Sequence, residues 1–183
     1  MRRIAVIVGS RSDLPQCKTG LEVLQAARER GQIQGQIAAV RVWVSSIHRN
    51  TREVIDRLNT LPSIHPPCDV IITAAGWANA LTGIVDSYLR YALGDARIVV
   101  VGVALEDPGN VRHTQAAELS ITEVPKTQVV YRDARGIFLG ADGFRRACEF
   151  AVSGELPKIT LPEPPRAEDI TLSEAIEIAR AAG

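Results

Sequence analysis

The chain alternates between short apolar runs and longer stretches in which apolar residues recur at helical spacing. The first run, Ile4–Val8, is rich in β-branched residues and has no polar residue at alternate positions, which is typical of a strand buried on both faces. Further apolar runs span 37–44, 69–75, 97–105 and 127–131. Helical patterns lie between and after the runs, at 14–30, 50–60, 79–93, 113–120 and 141–152. This order predicts an α/β fold, a doubly wound parallel sheet in three layers with helices on both faces.

The loops that follow the strands are expected to form the ligand site. In an open parallel sheet, ligands bind outside the carboxyl ends of the strands, where the strand order reverses. After the first four apolar runs the sequence reads GSRSD, SSIHRN, AAGWANALTG and ALEDPGN. These segments are therefore predicted to meet at one edge of a flavodoxin-like sheet.

The last part of the chain has a different composition. Four prolines fall between residues 157 and 165, which favours an extended arm over further core. We expect an α/β domain at 1–156 and an arm at 157–183 that ends in a helix, 173–182. The apolar residues on one side of that helix are Ala175, Ile176 and Ala179. Two docking sites remain open for that side: a neighbouring subunit and the helix's own domain.

Composition and charge exclude several classes of protein. The 183 residues suffice for one domain with a sizeable core. The 21 basic and 21 acidic residues balance, so there is no electrostatic case for a nucleic-acid partner. No apolar stretch approaches the ~20 residues of a membrane span, and no signal-peptide pattern is present, so a cytoplasmic protein without a membrane partner is expected. Cys17, Cys68 and Cys148 lack metal-ligand spacing, which predicts buried reduced thiols and no metal site.

The first loop is suited to bind a phosphate group. It leads from a strand into a helix, so it presents unpaired backbone N–H groups, and Ser10 and Ser12 add hydroxyl donors. The alternative is that these residues only cap the helix, with Asp13 as N-cap. Neither Gly-x-Gly-x-x-Gly nor a Gly-Lys-Ser/Thr ending is present, so a phosphorylated small molecule fits better than NAD or ATP as ligand.

The second and third loops add groups suited to catalysis and close contact. His48 follows a buried strand and is placed for proton transfer near neutral pH, while Arg49 beside it could bind a phosphate oxygen. The alternative is a surface loop in which both are incidental, as we expect for His65 and His113. In the third loop, Asn79 stands at an N-cap position, and the neighbouring glycine and alanines permit a ligand to approach the backbone. Tight packing of strand against helix is the alternative there.

Three motifs, GSRSDLPQC, SIHRN and AAGWANALTGIVD, occur in an order and spacing that resemble the aminoimidazole ribonucleotide (AIR) carboxylase family of purine biosynthesis. That family also contains the carboxyaminoimidazole ribonucleotide mutases. The similarity covers roughly residues 4–131. Within the family, ANALTG is similar to the third loop of carboxylases that use carbon dioxide directly, and Ala80 stands where the mutases carry histidine.

The resemblance implies a role for each matching residue. His48 would be the catalytic acid/base, and Asp13 would accept hydrogen bonds from ribose hydroxyls. The groups that hold the 5′-phosphate would be Ser10, Ser12, Ser46 and Arg49, and Gly9 would also belong to the substrate-binding set. The groups lining the pocket for the heterocycle and carbon dioxide would be Gly76, Asn79, Ala80 and Leu81. The family further implies a nucleotide-binding catalytic domain, a ribonucleotide and carbon dioxide or bicarbonate as ligands, no cofactor, and a homo-octamer.

The sequence also departs from the family pattern. Trp77 and Ala78 replace the usual Arg-Ser of such carboxylases, Ile47 replaces an alanine, Arg49 is mutase-like, and the fourth loop matches worst. Three hypotheses therefore remain. The first is direct carboxylation of aminoimidazole ribonucleotide, or its reverse. The second is the mutase reaction, or carboxylation or decarboxylation of a related heterocyclic ribonucleotide. The third is a non-catalytic nucleotide-binding protein, against which His48 argues, since a pure binder needs no titrating group.

Overall fold

Four parallel strands form the central sheet of the computed structural model, which describes residues 1–33, 40–61, 68–164 and 166–181. The strands are β1 (Ile4–Val8), β2 (Val40–Val44), β3 (Val70–Ala75) and β4 (Val99–Ala104). They lie side by side in the order β2-β1-β3-β4, the order of flavodoxin-like sheets. The first four predicted strands are thus confirmed, although residues 37–39 of the second lie outside the described part.

The helices also follow the predicted pattern. Their bounds are α1 (Leu14–Glu29), α2 (Thr51–Thr60), α3 (Ala80–Ser87), α4 (Val111–Thr122), α5 (Gly140–Ser153) and α6 (Leu172–Ala181). The third predicted helix is longer than α3 because the chain continues in a π-helical turn, Tyr88–Ala92. Each helix lies within a few residues of its prediction, with position 182 outside the described residues.

Helices cover both faces of the sheet over β1, β3 and β4, and every residue of these three strands is buried. Val6 and Val101 pack on one face in a core cluster that includes residues of α1 and α5. Ile7 and Val100, each the sequence neighbour of one of these residues, pack on the other face with residues of α2 and α3. Successive side chains of a strand point to opposite faces, so these three strands contribute to two cores, whereas alternate valines of the edge strand β2 are exposed. The three-layer, doubly wound architecture is therefore confirmed.

The fifth predicted strand, 127–131, is wrong as a continuous element. Only Val130 pairs with β4, through hydrogen bonds to Val100 and Gly102. The chain then leaves the sheet as a short antiparallel hairpin, β5 (Arg132–Asp133) and β6 (Gly136–Ile137), and returns where Leu139 bridges to Ala104. The N–H of Gln128 donates to the carboxylate of Asp86 rather than to the sheet. Charged residues then follow the apolar run at 132 and 133, and Gly136 at φ 116° supplies the turn conformation that glycine adopts easily.

The C-terminal arm begins on the domain and ends away from it. Ile159 is buried in the core that contains α1 and α5, and Thr160 is hydrogen-bonded to the side chain of Gln128. By contrast, α6 buries none of its residues, so the structure does not place that helix on its own domain. It begins one residue before the predicted start, because Thr171 and Glu174 form a reciprocal capping pair.

The three cysteines are buried and free of disulfide bonds. Burial raises the pKa of Cys17 and of Cys68 to about 12, so both thiols stay protonated at neutral pH and are poor nucleophiles. Over the described ranges of the chain, every helix is too short or too polar to cross a membrane.

Candidate active site

The loops after β1, β2 and β3 enclose one cavity of about 450 Å³ at the carboxyl end of the sheet. This is the edge at which doubly wound folds bind ligands. The cavity is lined by Gly9, Ser10, Ser12, Asp13, Ser46, Ile47, His48, Arg49, Ala75, Gly76, Trp77, Ala78 and Leu81. All the predicted site residues are in this set except Asn79 and Ala80.

In the first loop, the side chain of Asp13 does not act as the predicted helix cap. Residues 11–13 form a 3₁₀ turn, and no side-chain hydrogen bond caps α1. Burial raises the pKa of the Asp13 carboxyl, although hydrogen bonds from the hydroxyl and N–H of Ser10 and the charge of Arg49 oppose the shift. The hydroxyl oxygens of Ser10 and Ser12 are 2.5 Å apart. The loop is therefore folded around an internal carboxylate at the cavity wall.

Two glycines let the first and third loops approach each other at Asp13. A Cβ atom added at Gly9 would lie 2.8 Å from the Cβ of Ala75 and 3.4 Å from a carboxylate oxygen of Asp13. One added at Gly76 would lie 3.7 Å from the other carboxylate oxygen. Since real Cβ atoms do not approach another carbon to 2.8 Å, Gly9 cannot be enlarged without separating the loops.

The second loop combines a buried anchor with exposed polar side chains. Ile47 is 4% exposed and packs into the core of α2 and α3, and its carbonyl oxygen accepts a hydrogen bond from the hydroxyl of Thr51. His48 and Arg49 are exposed and line the cavity. Among the described residues, none forms a hydrogen bond with the imidazole of His48. Within the part of the chain that the structure describes, both ring nitrogens are therefore open to a ligand.

Asn79 and Ala80 support the third loop without lining the cavity. Asn79 is fully buried, and its side-chain oxygen accepts hydrogen bonds from the N–H and hydroxyl of Thr82. Its amide nitrogen donates to the carbonyl oxygen of Val103 at 2.9 Å. The side chain of Asn79 is thus used as the N-cap that the sequence predicts, and Ala80 is the first residue of α3.

Trp77 is a cavity residue that the predicted site omits. Its φ is 60°, in the left-handed region, and its indole stacks on the imidazole of His113, with ring centroids 3.9 Å apart and 21° between the planes. His113 in turn pairs with Asp107 at 2.7 Å. These contacts do not test the prediction that His113 is incidental to the chemistry, and His65, for which the same was predicted, lies outside the described residues. No spacing rule marks the contact between Trp77 and His113, because it depends on the unusual backbone of Trp77.

The chain is similar to known proteins. Residues 3–131 match the sequence model of a family described as AIR carboxylase. The crystal structure of a single-residue variant of Treponema denticola PurE2 superposes with a TM-score of 0.52, at 17% identity over 83% of this chain and 87% of that one. Treponema denticola PurE gives a TM-score of 0.48 at 18% identity with the same coverage. No curated protein matches the chain. The family match contains all three loops of the cavity.

Proposed function

The chain belongs to the AIR carboxylase family, and on that premise we propose that it carboxylates a ring carbon of aminoimidazole ribonucleotide with carbon dioxide, or catalyses the reverse reaction. One observation carries the proposal. A loop with two serine hydroxyls meets an arginine and a histidine at a single cavity. Its volume of about 450 Å³ is in the range of small-molecule sites.

The first two loops supply the groups for the sugar phosphate. The hydroxyls of Ser10 and Ser12 and the guanidinium of Arg49 are hydrogen-bond donors suited to phosphate oxygens. Asp13 is an acceptor when ionised, so it suits ribose hydroxyls and would repel the phosphate itself. This division orients the nucleotide, with its phosphate on the serines and its ribose on the carboxylate.

The reaction needs close contact and one proton transfer. The electron-rich ring carbon attacks carbon dioxide, so a C–C bond forms while a C–O π bond becomes the carboxylate. The ring is then non-aromatic until the proton on that carbon leaves. His48 accepts this proton as general base and returns it in the reverse direction. Holding both reactants in one cavity supplies much of the rate increase through proximity.

A second candidate is carboxylation or decarboxylation of another heterocyclic ribonucleotide. It is favoured by Trp77 and Ala78, which stand at the cavity wall in place of the Arg-Ser expected for such carboxylases. The mutase reaction has less support, because Ala80 lies where the mutases carry histidine and does not line the cavity.

The test incubates purified protein with aminoimidazole ribonucleotide and bicarbonate, without ATP, and follows ultraviolet absorbance. Carboxyl transfer should appear as a new absorbance and as label incorporated from ¹³C-bicarbonate. The His48→Asn variant is the control for uncatalysed carboxylation. A second incubation supplies the carboxyamino nucleotide with a ¹³C-labelled carboxyl group in place of bicarbonate. Label that enters the product only in this incubation would indicate the mutase instead. Binding without any carboxyl exchange would contradict both enzymatic reactions on this substrate.

A further inference from the structure

Trp77 stands at the boundary between the cavity and α4. It lines the cavity, and the imidazole of His113 covers one face of its indole. His113 belongs to α4, which follows β4, whereas the serine and histidine loops follow β1 and β2 on the other side of β3. Trp77 is nevertheless 64% exposed. One face of the indole is therefore covered by His113, while most of the side chain is exposed at the cavity wall.

The indole is held in place before any ligand arrives. A large residue rarely adopts a φ of 60°, and such strain at a cavity wall points to a functional constraint. The imidazole that holds the indole is itself fixed by hydrogen bonds. Asn110 uses its side-chain oxygen to cap α4 at the N–H of Arg112, so its amide nitrogen donates to Nε2 of His113.

These contacts define what His113 can do. Since Nε2 accepts from Asn110, the proton is on Nδ1, which donates to the carboxylate of Asp107. Both nitrogens of the imidazole are engaged, so His113 is not available for proton transfer with a ligand. It is a positioning residue that acts through Trp77.

We propose that the open face of Trp77 is the platform on which the heterocyclic ring of the nucleotide stacks, so that Trp77 supplies affinity for a planar ring. The proposal rests on the function proposed above. The phosphate loops hold one end of the ligand, and an aromatic wall presents no charge to the other end. Stacking on an aromatic face recognises any planar base and tolerates changes in its substituents. The site should therefore accept several ring types on the same ribose phosphate.

The test compares aminoimidazole ribonucleotide with ribose 5-phosphate, which lacks the ring. Trp77→Ala should weaken the ribonucleotide by about tenfold to a hundredfold and change ribose 5-phosphate by less than about twofold. Trp77→Phe should retain most of the affinity because it keeps an aromatic face. Calorimetry measures all three proteins. Equal losses for both ligands in Trp77→Ala, or no loss for either, would overturn the proposal.

Fluorescence gives a second measurement if Trp77→Ala does not fold. The chain has two tryptophans, and Trp43 is 8% exposed beneath the guanidinium of Arg57, outside the cavity. In a Trp43→Phe background the signal comes from Trp77 alone. The ribonucleotide should change that signal and ribose 5-phosphate should not. An unchanged signal with saturating ribonucleotide would contradict stacking.

The role of His113 is tested by two substitutions. His113→Ala removes the stack and should lower the preference for the ribonucleotide over ribose 5-phosphate, whereas His113→Phe keeps a stacked ring and should restore it. Equal effects of the two substitutions would exclude positioning by stacking. Failure of this inference is distinguishable from failure of the proposed function. Stacking without carboxyl exchange would refute the function alone, and exchange with an unchanged ligand preference in Trp77→Ala would refute the inference alone.

Discussion

The side-chain amide of Asn79 donates a hydrogen bond to the carbonyl oxygen of Val103 at 2.9 Å, which ties the start of α3 to β4. The same side chain caps α3 at Thr82, whose hydroxyl lies 2.8 Å from that of Thr73 on β3. A buried polar network therefore joins two strands and a helix directly beneath the third loop of the cavity. Such networks stabilise a fold only when every member is satisfied.

Asn79→Ala should consequently destabilise the protein without removing a ligand contact. It deletes an N-cap and leaves the carbonyl of Val103 without this donor, and together these should lower the free energy of unfolding by about 2–4 kcal/mol. Asn79→Ser keeps a capping oxygen and should recover part of the loss. Denaturant unfolding of the three proteins measures the effect. If ribose 5-phosphate affinity falls as strongly as stability, Asn79 contacts the ligand after all.

His48→Asn should separate binding from chemistry. Asparagine keeps a polar side chain of similar length but cannot take a proton, so turnover should fall at least ~100-fold while ribonucleotide affinity stays within about tenfold. Steady-state rates and calorimetry give the two quantities. Turnover close to that of the wild type would remove His48 from the mechanism.

Arg49→Ala and Arg11→Ala form a matched pair for the phosphate site. Both side chains are exposed arginines in cavity loops, but only Arg49 lines the cavity. Loss of a charged hydrogen bond should weaken ribose 5-phosphate by about 1.5–3 kcal/mol in Arg49→Ala, with little change in Arg11→Ala. The dephosphorylated nucleoside should bind both variants like the wild type. Equal effects of the two substitutions would mean that only net charge matters.

Asp95 should contribute stability that depends on pH. Burial alone would raise the pKa of its carboxyl, but the N–H groups of Ile98 and Arg97 and the Arg97 guanidinium outweigh burial and hold the pKa below its usual value. Because the pKa is lower in the folded protein, the carboxylate stabilises the fold at pH values above the unfolded-state pKa of about 3.9. This stability is lost as the pH falls through the folded-state pKa.

Asp95→Asn should therefore cost about 1.5–3 kcal/mol of unfolding free energy at pH 7, and the difference from the wild type should shrink toward about pH 3. Denaturant unfolding at both pH values measures this difference. A gap that stays constant or widens as the pH falls would show that the Asp95 carboxylate is not the source of the stability.

Two truncations distinguish the anchored part of the arm from α6. Removing 157–183 deletes buried Ile159, whereas removing 161–183 keeps it. The longer deletion should cost about 1.5–3 kcal/mol more in unfolding free energy. We expect the full chain to form a homo-octamer and either deletion to reduce it, because α6 has an apolar side that would otherwise stay exposed. Light scattering at one concentration decides this. A monomeric full-length chain would contradict the expectation.

The sheet and its ligand edge were predictable because burial on both faces leaves continuous apolar runs such as Ile4–Val8 and Val70–Ala75. The rule for open parallel sheets then places the following loops together. The departure from the sheet at Arg132–Ile137 also has a signal, charged residues followed by glycine. The preceding run, 127–131, has no such signal, because the hydrogen bond of Gln128 to Asp86 joins distant parts of the chain.

Other features of the site depend on contacts that no local pattern encodes. The sequence predicts Asn79 as an N-cap. Whether its amide also faces a ligand depends on the position of the carbonyl group of Val103, which is 24 residues further along the chain. Likewise, a left-handed Trp77 is not expected from its residue type, and without that conformation nothing connects it to His113.

The hairpin beside β4, formed by β5 and β6, affects how copies of the protein can pair at this edge of the sheet. A strand from another molecule can add to a sheet only along a continuous row of free backbone donors and acceptors. Beside β4, the outer row is divided between Val130 and Leu139 by the hairpin, and the side chain of Gln128 next to it holds the arm at Thr160. Copies that meet along this side find no continuous row of backbone groups to pair with, which disfavours extension of the sheet from one molecule into the next.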